Sequence, residues 1–170
     1  MKTISIIAAA AENNAIGRRG EIPWHISEDF KYFKRVTSGH PVVMGYMTWL
    51  SLPFKPLPKR ENIIISIFPM EKPPYDNVRV VSSLEEALAA ETPEGADEEI
   101  FVIGGGYTYA QAMQYADRIY LTRVHTVIED ADTFFPEIPE EEWECVSASE
   151  RLYDEQSDVE FEFLVYERIR

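Results

Sequence analysis

The chain opens with an apolar run, Ile4 to Ala10, rich in β-branched residues. Such a run, without strict alternation, is the pattern of a strand covered on both faces. Shorter apolar runs at 40–45, 62–67, 78–81, 100–103 and 118–124 read as further strands. Between them the period changes. Phe30, Phe33 and Val36 recur at helical spacing with Lys31, Lys34 and Arg35 interposed. This predicts a helix over 27–37, with Ser27 as its cap, Glu28 and Asp29 in its first turn and a stop at Ser38-Gly39. A short helix or turn is expected at 46–52. A second helix, capped by Ser82 or Ser83, is expected over 84–90, and a third over 107–115 with Tyr109, Ala110 and Met113 facing inward. Near the end, 143–150 and 159–169 alternate apolar and polar residues, with Phe161, Phe163, Val165 and Ile169 on one face, as in an antiparallel hairpin. The loops fall at 12–26, at the proline-rich stretch from Pro53 to Pro58, at 68–77, at 92–98 and at 126–139.

Early strands alternate with helices and late ones do not. The expected fold is therefore α/β: a single mixed, mainly parallel twisted sheet with flanking helices and an antiparallel C-terminal hairpin, in one domain over residues 1–170. A length of 170 residues and 45% hydrophobic content suit such a core. No apolar run approaches the ~18 residues that span a membrane. The N-terminal run has only Lys2 before it and passes into Glu12-Asn13-Asn14, so it reads as a strand and not as a leader.

Cys145 is the only cysteine, which excludes an internal disulfide and makes a cytoplasmic location the expectation. His25, His40 and His125 are scattered without metal-ligand spacing, so no metal site is expected. The net charge of −14 is divided unevenly. Residues 1–79 hold 11 Lys/Arg against 7 Asp/Glu, and residues 80–170 hold 5 against 23. The acidic half argues against nucleic acid as a partner, and the mildly basic half suits a small anion.

Three constellations carry candidate chemistry. Asp29 shares a helix face with Phe30 and Phe33; it is either a solvated first-turn acid or a carboxylate at the edge of an apolar pocket. Gly104-Gly105-Gly106 joins a strand to a helix, where bare backbone N–H groups suit an anion. Gly45-Tyr46-Met47-Thr48 makes a second such turn, and two on neighbouring strands can hold a pyrophosphate. Lys55 and Arg60 are candidates for a carboxylate, Arg60 the better for its two-pronged guanidinium.

Taken together, the ordered segments Ile16-Gly17, Pro23-Trp24, Asp29 with Phe33-Lys34, Val43-Met44-Gly45 with Thr48-Trp49, Leu57-Pro58 with Arg60-Glu61-Asn62, Ile103 to Gly106 with Tyr109, and Tyr120-Leu121-Thr122 resemble the dihydrofolate reductase family over nearly the whole chain. The resemblance implies reduction of dihydrofolate to tetrahydrofolate with NADPH, in one-carbon metabolism, by a monomer that antifolates inhibit. It implies that Asp29 binds the pterin, that Thr122 bonds to Asp29, and that Trp24 holds a nearby water. Ile7, Ala8, Phe30, Phe33, Leu52, Lys55, Leu57, Arg60 and Ile103 would contact substrate, Arg60 through the glutamate α-carboxylate. Ala9, Ile16, Gly17, Gly45, Tyr46, Met47, Thr48, Ser66, Ile67, Ile103, the Gly104–Gly106 turn, Tyr107, Thr108 and Tyr109 would contact the coenzyme. The Gly104–Gly105 bond would be cis, residues 11–26 would form a lid, and 126–133 would support it.

The chain departs from the family pattern where the 2′-phosphate of NADPH is usually held. Tyr46 stands where a basic residue is usual, and Ile67-Phe68 follow Ser66. The expectation is NADPH use with weaker discrimination, with Arg79 or Lys72 as compensating bases. Two other functions compete: a related reductase of riboflavin synthesis, which would not need Pro23-Trp24 with Asp29 and Thr122, and a non-catalytic binding protein using the acidic half as its surface.

Overall fold

The computed structural model describes residues 2–19, 22–89 and 99–170. Gly20, position 90 of the expected second helix and the acidic loop at 92–98 lie outside the described residues. The strands are β1 (Thr3–Ala11), β2 (Ala15–Gly17), β3 (Val42–Gly45), β4 (Asn62–Ile65), β5 (Val78–Val81), β6 (Glu99–Gly104), β7 (Arg118–Val124), β8 (Thr133–Phe134), β9 (Trp143–Ala148), β10 (Leu152–Asp154) and β11 (Val159–Arg168). The helices are α1 (Ser27–Thr37), α2 (Tyr46–Ser51), α3 (Leu84–Leu88) and α4 (Gly106–Ala112). The main sheet runs β10-β11-β7-β1-β6-β3-β4-β5, with β9 also on β11. Every pair from β7 to β5 is parallel, and the pairs made by β11 are antiparallel. This is the mixed, mainly parallel α/β sheet expected.

The unbroken apolar runs follow from burial on both faces. Ile6, Ala8, Val43, Ile63, Ile100, Val102 and Leu121 pack on one side with Leu84 and Leu88 of α3 and Tyr109 and Ala112 of α4. Ile7, Val42, Met44, Ile64 and Phe101 pack on the other with Phe33 and Val36 of α1 and Trp49 of α2. Successive residues alternate between the two layers, so each must be apolar. A fully buried Ile or Phe contributes roughly 1.5–3 kcal/mol.

Several local expectations need correction. The cap position of α1 is Ile26, with no side-chain cap bond, and Ser27 is the first helical residue. Ile26 is fully buried with Val124 and Phe161, so packing and not a hydroxyl fixes where α1 begins. Ser83 caps α3 by accepting from the Glu86 N–H at 3.1 Å, and the helix ends at Leu88. β4 stops at Ile65, leaving Ile67 exposed. In α4 Tyr109 is buried and Met113 packs against the same core, as expected, with Thr108 and Ala112 buried as well; Ala110 is exposed, one position off that face. Ile169 is exposed beyond the end of β11. The tight hairpin is β10–β11, and β9 joins the same strand farther along, across a register shift between Val165 and Tyr166. The loops 12–26 and 126–139 contain an unexpected two-stranded sheet, β2 with β8.

Among the described residues no helix is long and apolar enough to cross a membrane, and no group of three metal-ligating side chains gathers.

Candidate active site

The first turn of α1 carries Asp29 toward the sheet. Thr122, buried on β7 in register with Ala9 of β1 and Phe163 of β11, donates its hydroxyl to Asp29 Oδ1 at 2.6 Å. Burial pushes the Asp29 carboxyl up from 3.8 to about 6, against the pull of the Thr122 hydrogen bond. Asp29 is thus the pocket-edge carboxylate and not the solvated acid. Trp24 is half-buried against Ile26, Val124 and Phe161, the cluster on which α1 starts.

The residues expected to line a cleft converge beside it. Phe33, Leu52, Leu57 and Ile103 are half-buried against the layer that holds Ile7 and Trp49. Phe30 stays more open, with its ring 4.9 Å from that of His25. Ala8 is the exception. Its side chain packs in the opposite layer, so only its backbone can face the cleft. The Tyr109 hydroxyl lies 2.9 Å from the Ile7 carbonyl and 2.8 Å from that of Ile103, joining β1 to β6 from the α4 side. Burial first, then the nearby Asp29 charge, pushes the Tyr109 hydroxyl up, so it remains a proton donor.

Arg60 is buried, at 6% exposure. Its Nε donates to the Pro58 carbonyl at 2.8 Å and one terminal nitrogen to Thr37 Oγ1 at 2.9 Å. The guanidinium carbon is 6.0 Å from the centre of the Phe33 ring. Burial alone lowers its pKa, and among the described residues it has no carboxylate partner. A buried guanidinium in that state is a standing site for an anion. The loop beneath it is tied by Asn62, which the sequence offered only as part of a motif, and by Asn77, which sequence reasoning missed. Asn62 Nδ2 donates to the carbonyls of Leu57 at 3.0 Å and Arg60 at 3.1 Å, and Asn77 Nδ2 to that of Arg60 at 3.0 Å. An Asn opening a strand after a proline loop was the available clue. Lys55 is not part of this network: its ammonium donates to the Leu50 carbonyl at 3.1 Å and lies 5.9 Å from the Trp49 ring centre.

The two glycine turns meet, because β3 and β6 are neighbours. A Cβ on Gly45 would stand 3.1 Å from Thr108 Oγ1, and one on Gly105 would stand 3.3 Å from Thr48 Oγ1. Gly104 has a φ of +135°, a conformation side chains resist, and its bond to Gly105 is cis, as expected. Glycine here keeps the strand-end backbone and the hydroxyls of Thr48 and Thr108 within reach of one another, a cradle that any side chain would fill. β2 brings Ile16 to the same turn: a Cβ on Gly106 would lie 3.8 Å from Ile16 Cδ1 and 2.7 Å from Thr133 Cγ2. Tyr46, Met47 and Tyr107, at the starts of the two helices that follow these turns, are exposed, as is Ile67 beyond the end of β4. Ser66 turns its hydroxyl onto the Phe68 carbonyl at 2.6 Å.

Loop 12–19 is moored to loop 126–135. The Glu12 N–H donates to the Thr126 carbonyl, the Asp132 N–H to that of Gly17, and the Arg19 N–H to Asp132 Oδ2 at 2.8 Å. Arg123 holds its base, donating to the Ala11 carbonyl and to Asn14 Oδ1 at 2.9 Å. These contacts join segments more than a hundred residues apart, which no local pattern announces.

A buried carboxylate, a buried guanidinium and, at the carboxyl ends of parallel strands, a glycine cradle mark an α/β protein built for small ligands. A sequence model of the family described as dihydrofolate reductase matches residues 3–168. The chain is 40% identical over 165 residues to the dihydrofolate reductase of Bacillus subtilis, covering 97% of this chain and 94% of that protein. It is 46% identical over 153 residues to that of Neisseria gonorrhoeae, covering 89% and 90%. It is 41% identical over 167 residues to the type 3 dihydrofolate reductase of Salmonella typhimurium, covering 98% and 99%. The chain belongs to the dihydrofolate reductase family and is an oxidoreductase.

Proposed function

We propose that this chain, as a single domain, reduces 7,8-dihydrofolate to 5,6,7,8-tetrahydrofolate with NADPH, adding a hydride to pterin C6 while N5 gains a proton. The observation that carries this reading is the buried Asp29 carboxyl, held by Thr122 at 2.6 Å and close enough to Tyr109, which bonds the Ile103 carbonyl, to act on its hydroxyl.

Asp29 offers its two oxygens to the pterin 2-amino group and N3. Its raised pKa, about 6, leaves it mostly ionised at neutral pH yet close enough to protonation to exchange a proton with the ring. Thr122 fixes the carboxyl's orientation, and Trp24 packs at the entrance and holds a water there. Ile7, Phe33, Leu52, Leu57 and Ile103 clamp the flat ring and exclude solvent, which sharpens every charge interaction in the cleft. Arg60 holds the glutamate α-carboxylate, with its geometry set in advance by Pro58 and Thr37. The cradle of Gly45, Thr48 and Gly104 to Gly106 would hold a pyrophosphate, and Ala9, Ile16 and Tyr109 would contact a nicotinamide. The bound coenzyme supplies the hydride. Loop 12–19, through its ties to 126–135, covers the reacting rings.

The test is direct. With dihydrofolate and NADPH present, nicotinamide absorbance should fall in proportion to enzyme, and Asp29→Ala should lose about a hundredfold or more of that rate. No substrate-dependent loss of absorbance, or an undiminished variant, overturns the reading.

A further inference from the structure

We infer that this chain accepts the unphosphorylated coenzyme, NADH, about as well as NADPH. The inference rests on the coenzyme placement proposed above and concerns the outer nucleotide. The sheet order from the reacting end is β1, β6, β3, β4, β5. With the nicotinamide beside Ala9 of β1 and the pyrophosphate over the turns after β6 and β3, the adenosine half runs outward over the ends of β4 and β5. Strands stand about 4.8 Å apart, so β1 to β5 covers about 19 Å and leaves the second ribose over those last two ends.

That rim has no positive charge. No Lys or Arg occurs between Arg35 and Lys55, between Arg60 and Lys72, or between Arg79 and Arg118. Those intervals contain the residues that directly follow β3, β4, β5 and β6. The bordering bases are engaged elsewhere. Lys55 is on the Leu50 carbonyl, Lys72 is on the carbonyls of Pro73 and Tyr75, and Arg79 pairs with Glu61 at 3.1 Å. Both Arg79 and Lys72 are thus turned to other partners. Arg79 also lies toward the wrong end, in register with Ile63 near the start of β4.

What occupies the rim is apolar or negative. Tyr46, Met47, Ile67, Phe68 and Tyr107 are exposed. The Ser66 hydroxyl is committed to Phe68. At the end of β5, Glu86 accepts from the N–H and hydroxyl of Ser82, and Glu85 accepts from Tyr115 at 2.9 Å. A phosphate monoester carries about −1.5 to −2 charges at neutral pH. Preferring it to a hydroxyl calls for cations or converging N–H donors that replace its hydration, and carboxylates act against it. A ribose diol needs only hydrogen bonds, and the exposed aromatic surface serves adenine in either coenzyme.

The test uses the whole chain. kcat/KM is measured with dihydrofolate and each coenzyme, and NADPH and NADH binding are titrated separately by fluorescence. Both ratios are expected within about tenfold of unity. A preference for NADPH of about a hundredfold or more in either measurement overturns the inference. Tyr46→Arg places a guanidinium on the rim and is expected to raise the NADPH:NADH ratio about tenfold or more; an unmoved ratio counts against the placement. Binding yields the ratio without turnover. Loss of turnover with both coenzymes therefore removes the proposed substrate and leaves the coenzyme inference to be judged alone, while failure to bind either removes both.

Discussion

Asp29→Asn separates what the carboxylate does for function from what it costs the fold. The folded pKa is about 6 against an ordinary 3.8, a difference of about two units, and each unit corresponds to about 1.4 kcal/mol. Between those two values the folded chain keeps a proton that the unfolded chain has released, so stability falls as pH rises through that window. Above about pH 6 the whole penalty is present, at most about 3 kcal/mol. Asparagine cannot ionise, and it still offers an oxygen to the Thr122 hydroxyl. Its amide N–H groups need partners in the cleft, which takes back about 1 kcal/mol. The variant should therefore be up to about 2 kcal/mol more stable than the parent at pH 8, and below about pH 4, where the penalty is gone, about 1 kcal/mol less stable. Urea unfolding of both proteins at several pH values measures this. Parallel curves, or a less stable variant at pH 8, would refute the claim that Asp29 is held ionised against desolvation.

Two further predictions concern Arg60 and Gly106. Arg60→Lys keeps the charge but cannot bond Pro58 and Thr37 while gripping a carboxylate with two prongs; KM for dihydrofolate should rise about tenfold or more with kcat changed less than about threefold. A fall in kcat at constant KM would assign Arg60 a different role. Gly106→Ala drives a methyl to 2.7 Å from Thr133 Cγ2, which should cost about 1–2 kcal/mol in chemical unfolding, and adding Thr133→Ser should restore most of it. A single variant as stable as the parent would mean that β8 does not press on the turn.

Reading the chain alone found the features that local chemistry dictates. The doubly buried strands, the span of α1 and the Gly104–Gly106 turn each follow from period, burial or conformational freedom at one place. The Asp29–Thr122 contact was available only through resemblance, since nothing at position 122 itself points to position 29. What escaped were pairings between distant segments. β2 and β8 hold three and two residues, too few for alternation to register. The supports of Arg60 are a threonine ending α1 and two asparagines, residues that are usually only turn formers. Capping rules favoured Ser27, but the buried Ile26 won because an apolar anchor outweighs an exposed hydroxyl. On α4 Tyr109 and Met113 share the inner face by their spacing of four, and Ala110, one step round, falls outside it.

The division of charge along the chain has a consequence in three dimensions. The basic side chains of α1 and of the loop around Lys55, Lys59 and Arg60 flank the cleft, while most carboxylates belong to the second half of the chain, which supplies the antiparallel border β9–β11. The net charge repels anions as a whole, while the basic segment from Lys55 to Arg60 attracts them locally. Dissolved ions weaken the repulsion and the guidance together, over about 8–10 Å at physiological strength, so capture of an anionic ligand should respond to salt far less than a net charge of −14 alone would suggest.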